Sequence, residues 1–197
     1  MKTIFKKSIY DILELFYKNH NKPVHLREIA RKTNLNESTI TTRLKQLEKL
    51  NILKSKKEAN LKKFNLRKNK IPEIFPIFDN QKIENLPLLR KNAIKEFIFK
   101  LKEKPLIAVV FGSTAKDTFN DDSDLDIIII ANKKLDIKKA KSHAEALTSI
   151  KMQIFQIKED NFYKELKMKE DNVIQSGINT GFPVFNNKYF YELIYSE

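Results

Sequence analysis

The chain has no cysteine, three glycines and three histidines among its 197 residues. Without cysteine there are no disulfide staples, no thiolate nucleophile and no zinc-thiolate centre. His20, His25 and His143 are scattered with no partner at ligand spacing, so none is assigned chemistry. No segment approaches the roughly 18 consecutive apolar residues of a membrane span. Lys and Asp interrupt the apolar residues of the N-terminal stretch through Tyr17, which therefore lacks a secretory h-region, and a soluble cytoplasmic protein is expected. Internal repeats and low-complexity tracts are absent from the sequence.

What is present is charge, and it is unevenly placed. The net charge is +13, and residues 1–70 hold 19 Lys and Arg against 6 Asp and Glu, whereas residues 71–197 hold 19 of each. The whole excess is N-terminal, which suggests that a basic module binding a polyanion precedes a neutral one with a different task. The boundary is expected near Asn69, giving modules over 1–69 and 70–197.

The densest chemistry lies between Leu106 and Ile130. An apolar run ends in Gly112-Ser113, passes through a loop rich in Asp and Asn, and resumes as Ser123-Asp124-Leu125-Asp126 before four isoleucines. Short β-branched runs bounded by turn residues predict two strands. Alternation along the second puts Asp124 and Asp126 on one side at its entrance. Paired carboxylates suit magnesium, which prefers oxygen ligands and is commonly shared with substrate phosphates. Gly112 permits close backbone approach to a ligand, and the Ser113 hydroxyl and nearby N–H groups could hold phosphate oxygens. Asp117, Asp121 and Asp122 read as a solvated acidic loop.

The pattern G-S-x10-D-x-D between two strands resembles the polymerase-β-like nucleotidyltransferases, and its spacing is closest to the minimal members. That resemblance implies a mixed sheet flanked by helices, Gly112 and Ser113 on nucleotide phosphates, and Asp124 and Asp126 on Mg2+. Lys116 stands where relatives often carry Arg and is a further phosphate candidate. The resemblance also implies a third metal carboxylate on the strand after the next helix. Here that strand, Ile150 to Ile157, has no acid. Gln153 and Gln156 are its polar candidates, and a substrate group or Glu159 is considered as a replacement for the base that deprotonates the acceptor.

In the basic module, Phe5, Ile9, Ile12, Leu13 and Phe16 recur at helical spacing, closed by Asn19 to Pro23. A short helix from His25 to Lys32 follows, with a turn at Thr33-Asn34-Leu35. Asn36 then caps a third helix with a core stripe of Ile40, Leu44, Leu47 and Leu50. Phe64 and Leu66 alternate with polar residues around a hairpin tip at Glu58-Ala59-Asn60, predicting a two-stranded wing. Val24 to Leu66 resembles the winged helix-turn-helix regulators, including an L-x-x-L-x-x-x-x-I-L close starting at Leu44. In such modules the third helix enters the DNA major groove and the wing meets backbone. Base-edge candidates are Ser38, Thr39, Thr42 and Arg43, supported by Lys45, Gln46 and Lys49. Lys54, Lys56, Lys57, Lys62 and Lys63 of the wing are phosphate candidates. Double-stranded DNA is the expected partner and RNA the alternative.

Pro72, Pro76 and Pro87 mark residues 68–87 as a connector rather than one long helix. A helix from Leu88 to Lys102 buries Ile94, Phe97, Ile98 and Leu101. Another around Leu135 to Leu147 carries Ile137, Ala140, Ala144 and Leu147 on its apolar side. A helix with Phe162, Leu166 and Met168, turns at Gly177 and Gly181, a strand over 182–185 and a last helix with Phe190, Leu193 and Ile194 complete the chain. The fold class is α+β. The leading functional expectation is transfer of a nucleoside monophosphate from an NTP to an acceptor hydroxyl. The alternative is a DNA-binding regulator whose degenerate nucleotidyltransferase domain senses nucleotide or dimerises. Minimal nucleotidyltransferases are often paired with a separate helical partner protein, which these residues do not reveal.

Overall fold

The computed structural model describes residues 6–195. The chain divides into two compact units, Met1–Phe78 and Asp79–Glu197.

In the first unit, helix α1 (Lys7–Lys18) buries Ile9, Ile12, Leu13, Leu15 and Phe16. Phe5, expected in this stripe, lies outside the described residues. The helix ends where His20 and Asn21 adopt positive φ, and the buried Asn21 amide exchanges two hydrogen bonds with the Leu66 backbone at 3.0 and 2.7 Å. Strand β1 (Val24–His25) leads into α2 (Leu26–Thr33), capped by His25, whose Nδ1 accepts from Glu28 N–H. Asn34 takes the left-handed conformation that closes α2. Asn36 then caps α3 (Glu37–Lys49) by accepting from Thr39 N–H at 2.8 Å.

Strands β2 (Leu53–Glu58) and β3 (Leu61–Leu66) pair antiparallel around the expected tip, and β1 adds a third strand in the order β1-β3-β2. The two residues of β1 are too few to show an alternating pattern, so the sequence predicts only two strands. Leu50 does not join the core stripe of α3. It is the residue that ends the helix and is 56% exposed, and Leu53 is buried at the start of β2 instead.

Residues 71–85 form α4 (Ile71–Asn85), which corrects the expected connector, and the division between units falls inside this helix. Pro72 sits in its first turn, where an N–H has no intrahelical acceptor. Pro76 is internal and removes one hydrogen bond. Burial outweighs that cost: Ile71, Ile74, Phe75 and Phe78 are buried, and the first unit stacks the Tyr17 ring on Phe78 at 5.2 Å. In the second unit, the fully buried Asp79 accepts from Tyr191 OH at 2.8 Å and Asn187 Nδ2 at 3.1 Å.

The second unit continues through α5 (Leu88–Lys100), β4 (Ile107–Phe111), the single turn α6 (Gly112–Ala115), β5 (Leu125–Ala131), α7 (Lys138–Thr148) and β6 (Met152–Lys158). It closes with α8 (Glu159–Met168), α9 (Asn172–Thr180), β7 (Phe182–Phe185) and α10 (Asn187–Tyr195). The sheet order is β6-β5-β4-β7; β5 and β6 are parallel and the other pairs antiparallel, giving a mixed sheet. Ala108, Val110, Ile127 and Ile129 share one hydrophobic cluster with Ala93, Ile94 and Phe97 of α5 and Ala140 and Ala144 of α7. The alternate residues face α9, where Ile128 Cδ1 lies 2.4 Å from the position a Cβ on Gly177 would take. Cover on both faces explains four successive buried isoleucines.

Gly177 is therefore not a turn. It lies inside α9 where β5 approaches closely, and Gly181 ends that helix. Leu147 is 59% exposed on α7, and Thr148 is the buried residue beside it. Among the described residues, no helix is long and apolar enough to cross a membrane.

Candidate nucleotide site and candidate nucleic-acid interface

The end of β4 and the start of β5 are adjacent because Phe111 pairs with Asp126 in the antiparallel ladder. Gly112 follows with φ of +69°, and a Cβ there would stand 2.2 Å from Asp126 Oδ2. Backbone conformation and the approach of a carboxylate thus both require glycine at this position. Asp126 is half-buried on β5, with Asp124 just ahead of the strand. Burial pushes the Asp126 carboxyl up, the Asp124 charge pushes it further in the same direction, and Arg90 partly opposes them.

Gln153 is the ladder partner of Asp126 on β6, and its Nε2 donates to Asp124 Oδ2 at 2.7 Å. Gln156 is engaged elsewhere: its amide closes on the Leu135 backbone, accepting from N–H at 2.8 Å and donating to C=O at 3.2 Å. Of the two candidates, only Gln153 reaches the aspartates. Glu159 does not replace the absent acid. Because β5 and β6 run parallel, Glu159 lies six residues beyond Gln153, about 20 Å along the strand direction at roughly 3.3 Å per residue. There it accepts a hydrogen bond from Tyr189 OH. Among the described residues, no group of three His, Cys, Asp or Glu is placed to hold a metal.

Ser113 is half-exposed in α6, next to Gly112. Lys116 is exposed at the other end of that turn, its N–H donating to Gly112 C=O at 3.2 Å. Arg90 is the residue that sequence reasoning missed. It is 3% exposed, and Nη1 donates to Thr114 Oγ1 at 3.0 Å while Nη2 donates to the carbonyls of Asn120 and Ser123 at 2.9 and 2.6 Å. Its guanidinium also lies over the Phe119 ring, 4.3 Å from the centroid. A signal was available: Arg90 shares helical spacing with the buried Ala93, Ile94, Phe97 and Leu101, so a charge stands on an apolar stripe.

On α3, Ser38, Thr42, Lys45, Gln46 and Lys49 are exposed and Thr39 is half-exposed. Thr42 Oγ1 donates to Ser38 C=O at 3.0 Å. Arg43 is turned aside: Nε donates to Ser8 Oγ of α1 at 2.9 Å and Nη1 to Gln46 Oε1 at 3.2 Å. Alternation in the wing puts Lys54, Lys56 and Lys63 on one face and Lys57 with Lys62 on the other. Lys62 pairs with Glu48 at 3.1 Å and lies over Phe64, and Lys63 pairs with Glu58 at 2.7 Å. Burial pushes the Glu48 carboxyl up, but hydrogen bonds from Ser55 and Lys62 outweigh it and leave the group below its ordinary value. Among the described residues, no carboxylate lies within ion-pair distance of Lys54, Lys56 or Lys57, so their charge faces solvent.

Comparison with known proteins resolves the same two parts. Residues 92–188 match the family described as polymerase beta, nucleotidyltransferase, and residues 6–54 match winged helix-turn-helix DNA-binding domains. A stretch of 60 residues is 43% identical to an uncharacterized HTH-type transcriptional regulator of Methanocaldococcus jannaschii, covering 30% of this chain and 14% of that protein. No solved structure matches significantly.

Proposed function

We propose, for a chain that joins a winged helix-turn-helix DNA-binding domain to a polymerase-β nucleotidyltransferase domain, that it is a nucleotide-responsive DNA-binding regulator. The first unit binds double-stranded DNA through Ser38, Thr39 and Thr42 on α3, with Lys45 beside them and the wing lysines on phosphates. The second binds a magnesium nucleoside triphosphate, and its occupancy sets the DNA affinity. The observation that carries the regulator reading is the hydrogen bond from Gln153 Nε2 to Asp124 Oδ2.

The residues present fit a divalent cation. Asp124 and Asp126 are a half-buried oxygen pair, and the upward push on Asp126 from burial and from Asp124 is the strain that a cation relieves. When bound, the cation supplies neutralisation of triphosphate charge. Gly112 keeps the backbone clear of a Cβ beside Asp126, and Ser113 offers a hydroxyl and an N–H to phosphate oxygens. Gln153 adds no charge and occupies one Asp124 oxygen. Two carboxylates with an amide support holding a nucleotide, whereas placing a second cation to activate an acceptor hydroxyl ordinarily calls for another acid. The match to a protein named as a transcriptional regulator agrees with this reading.

A second reading is favoured by the close approach of Gly112 to Asp126, which leaves the G-S and D-x-D halves of the motif together. In it the domain transfers nucleoside monophosphate. The acceptor oxygen would attack the α-phosphorus, the bond to the β-phosphate oxygen would break, and pyrophosphate would leave, with a substrate group taking the hydroxyl proton. Calorimetric titration of each NTP in magnesium, on native protein and on Asp124→Ala/Asp126→Ala, tests the site. The expected result is magnesium-dependent binding that the double variant loses, with α-labelled NTP recovered unchanged. Label transferred to an acceptor selects the second reading, and no binding at millimolar NTP overturns both.

A further inference from the structure

A buried guanidinium costs several kcal/mol in lost hydration unless its donors are satisfied. Arg90 meets that demand without a salt bridge: among the described residues its acceptors are one hydroxyl and two carbonyls, with a ring against its face. The charge is still felt at longer range, since Asp121, Asp124 and Asp126 each favour the charged form of Arg90 against its burial.

The positions of these acceptors matter more than their number. Thr114 belongs to α6, two residues after Gly112. Asn120 and Ser123 belong to the loop that delivers the chain to Asp124. That loop is a preformed turn: Asn120 N–H donates to Ser123 Oγ at 2.9 Å, while Ser123 Oγ and Asp122 N–H both donate to Asn120 Oδ1, at 2.8 and 3.1 Å. Its closure brings the Asn120 and Ser123 carbonyls onto the same Arg90 nitrogen. One side chain on α5 therefore grips the turn after β4 and the approach to β5 together.

We propose that Arg90 is the positioning residue of the nucleotide site, holding the Asn120–Ser123 approach to Asp124 in place against the Gly112-Ser113 turn, while the β4–β5 ladder fixes Asp126. This rests on the reading of that site as a cation and nucleotide site. Lysine cannot reproduce the fork, because its single ammonium reaches from one point while guanidinium donors diverge to two segments. Arg90→Lys keeps the charge, so its effect reports geometry. Thr114→Val removes one acceptor at nearly constant volume and is the milder variant should Arg90→Lys fold poorly.

The test is carried out on the full chain. Binding of Mn2+ alone is read by electron paramagnetic resonance, amide hydrogen exchange is read over residues 112–126, and the melting temperature controls for global stability. The expected result is about tenfold weaker Mn2+ binding in Arg90→Lys and about threefold in Thr114→Val, with faster exchange confined to residues 117–124. Native Mn2+ affinity in Arg90→Lys, with or without faster exchange, overturns the proposal. If the native protein binds no Mn2+, the site reading fails. The clamp is then decided by exchange: loss of protection over 117–124 supports it and unchanged protection refutes it.

Discussion

Replacing Gln153 with glutamate keeps the shape of the side chain and converts the donor on Asp124 into a third carboxylate. Without metal this is destabilising for two reasons. The 2.7 Å hydrogen bond to Asp124 is lost; bonds to charged groups contribute about 1.5–3 kcal/mol when shielded, and about 1 kcal/mol is reasonable at this solvent-exposed position. Two like charges about 4 Å apart in water add about 1 kcal/mol. The sum, about 2 kcal/mol, lowers the melting temperature by roughly 4–8 °C in EDTA. Divalent cation reverses the sign, because three carboxylates now converge. Mn2+ at 100 times its dissociation constant restores about 2.7 kcal/mol. The assay is thermal melting of native and Gln153→Glu protein in EDTA and across a Mn2+ series. A variant that melts within about 1 °C of native in EDTA, or that gains no more from Mn2+ than native protein does, refutes this account of Gln153.

Gly112→Ala puts a Cβ 2.2 Å from Asp126 Oδ2 at a φ of +69°, so it is expected to cost about 1–3 kcal/mol in melting experiments and to abolish Mn2+ binding. Asp126 has a folded-state pKa above its unfolded one, so its ionised form weakens the fold at neutral pH and the loss is relieved as pH falls through the folded value. Asp126→Asn should accordingly melt higher than native protein in EDTA near pH 7, and the two should converge as pH falls through the upper carboxylate range. Glu159→Gln, at the start of α8 just beyond β6, should leave magnesium-NTP affinity within about twofold by calorimetry. Lys56→Ala, made at a lysine with no carboxylate within ion-pair distance among the described residues, should weaken binding evenly across DNA sequences and reduce the slope of log affinity against log salt by about 0.9 in fluorescence anisotropy.

Much of this molecule could be read from its residues because strong local signals agree. The buried stripe of α1, the Asn36 cap and the isoleucines of β5 each declare one element, and G-S-x10-D-x-D places two loops at one sheet end. The failures occur where tertiary contacts decide. Pro76 argues against a helix locally, yet the burial of Phe75 and Phe78 and the hydrogen bonds to Asp79 keep α4 continuous. Gly177 looks like a turn because sequence carries no trace of Ile128 pressing on α9. Arg43 has the spacing of an outward residue, but Ser8, 35 residues earlier, draws it aside. The choice between Gln153 and Gln156 is made by strand register, which puts one beside Asp124 and the other on the opposite face against Leu135.

The central claim, that nucleotide in the second unit governs DNA binding by the first, is tested most directly by measuring DNA affinity of the full chain at fixed salt with and without saturating magnesium-NTP. Native protein and Asp124→Asn/Asp126→Asn are compared side by side. The account predicts a change of about 5- to 150-fold in the native protein, the ordinary range of linkage between two sites, and none in the double variant. A native protein whose DNA affinity is the same with nucleotide bound as without it contradicts the account.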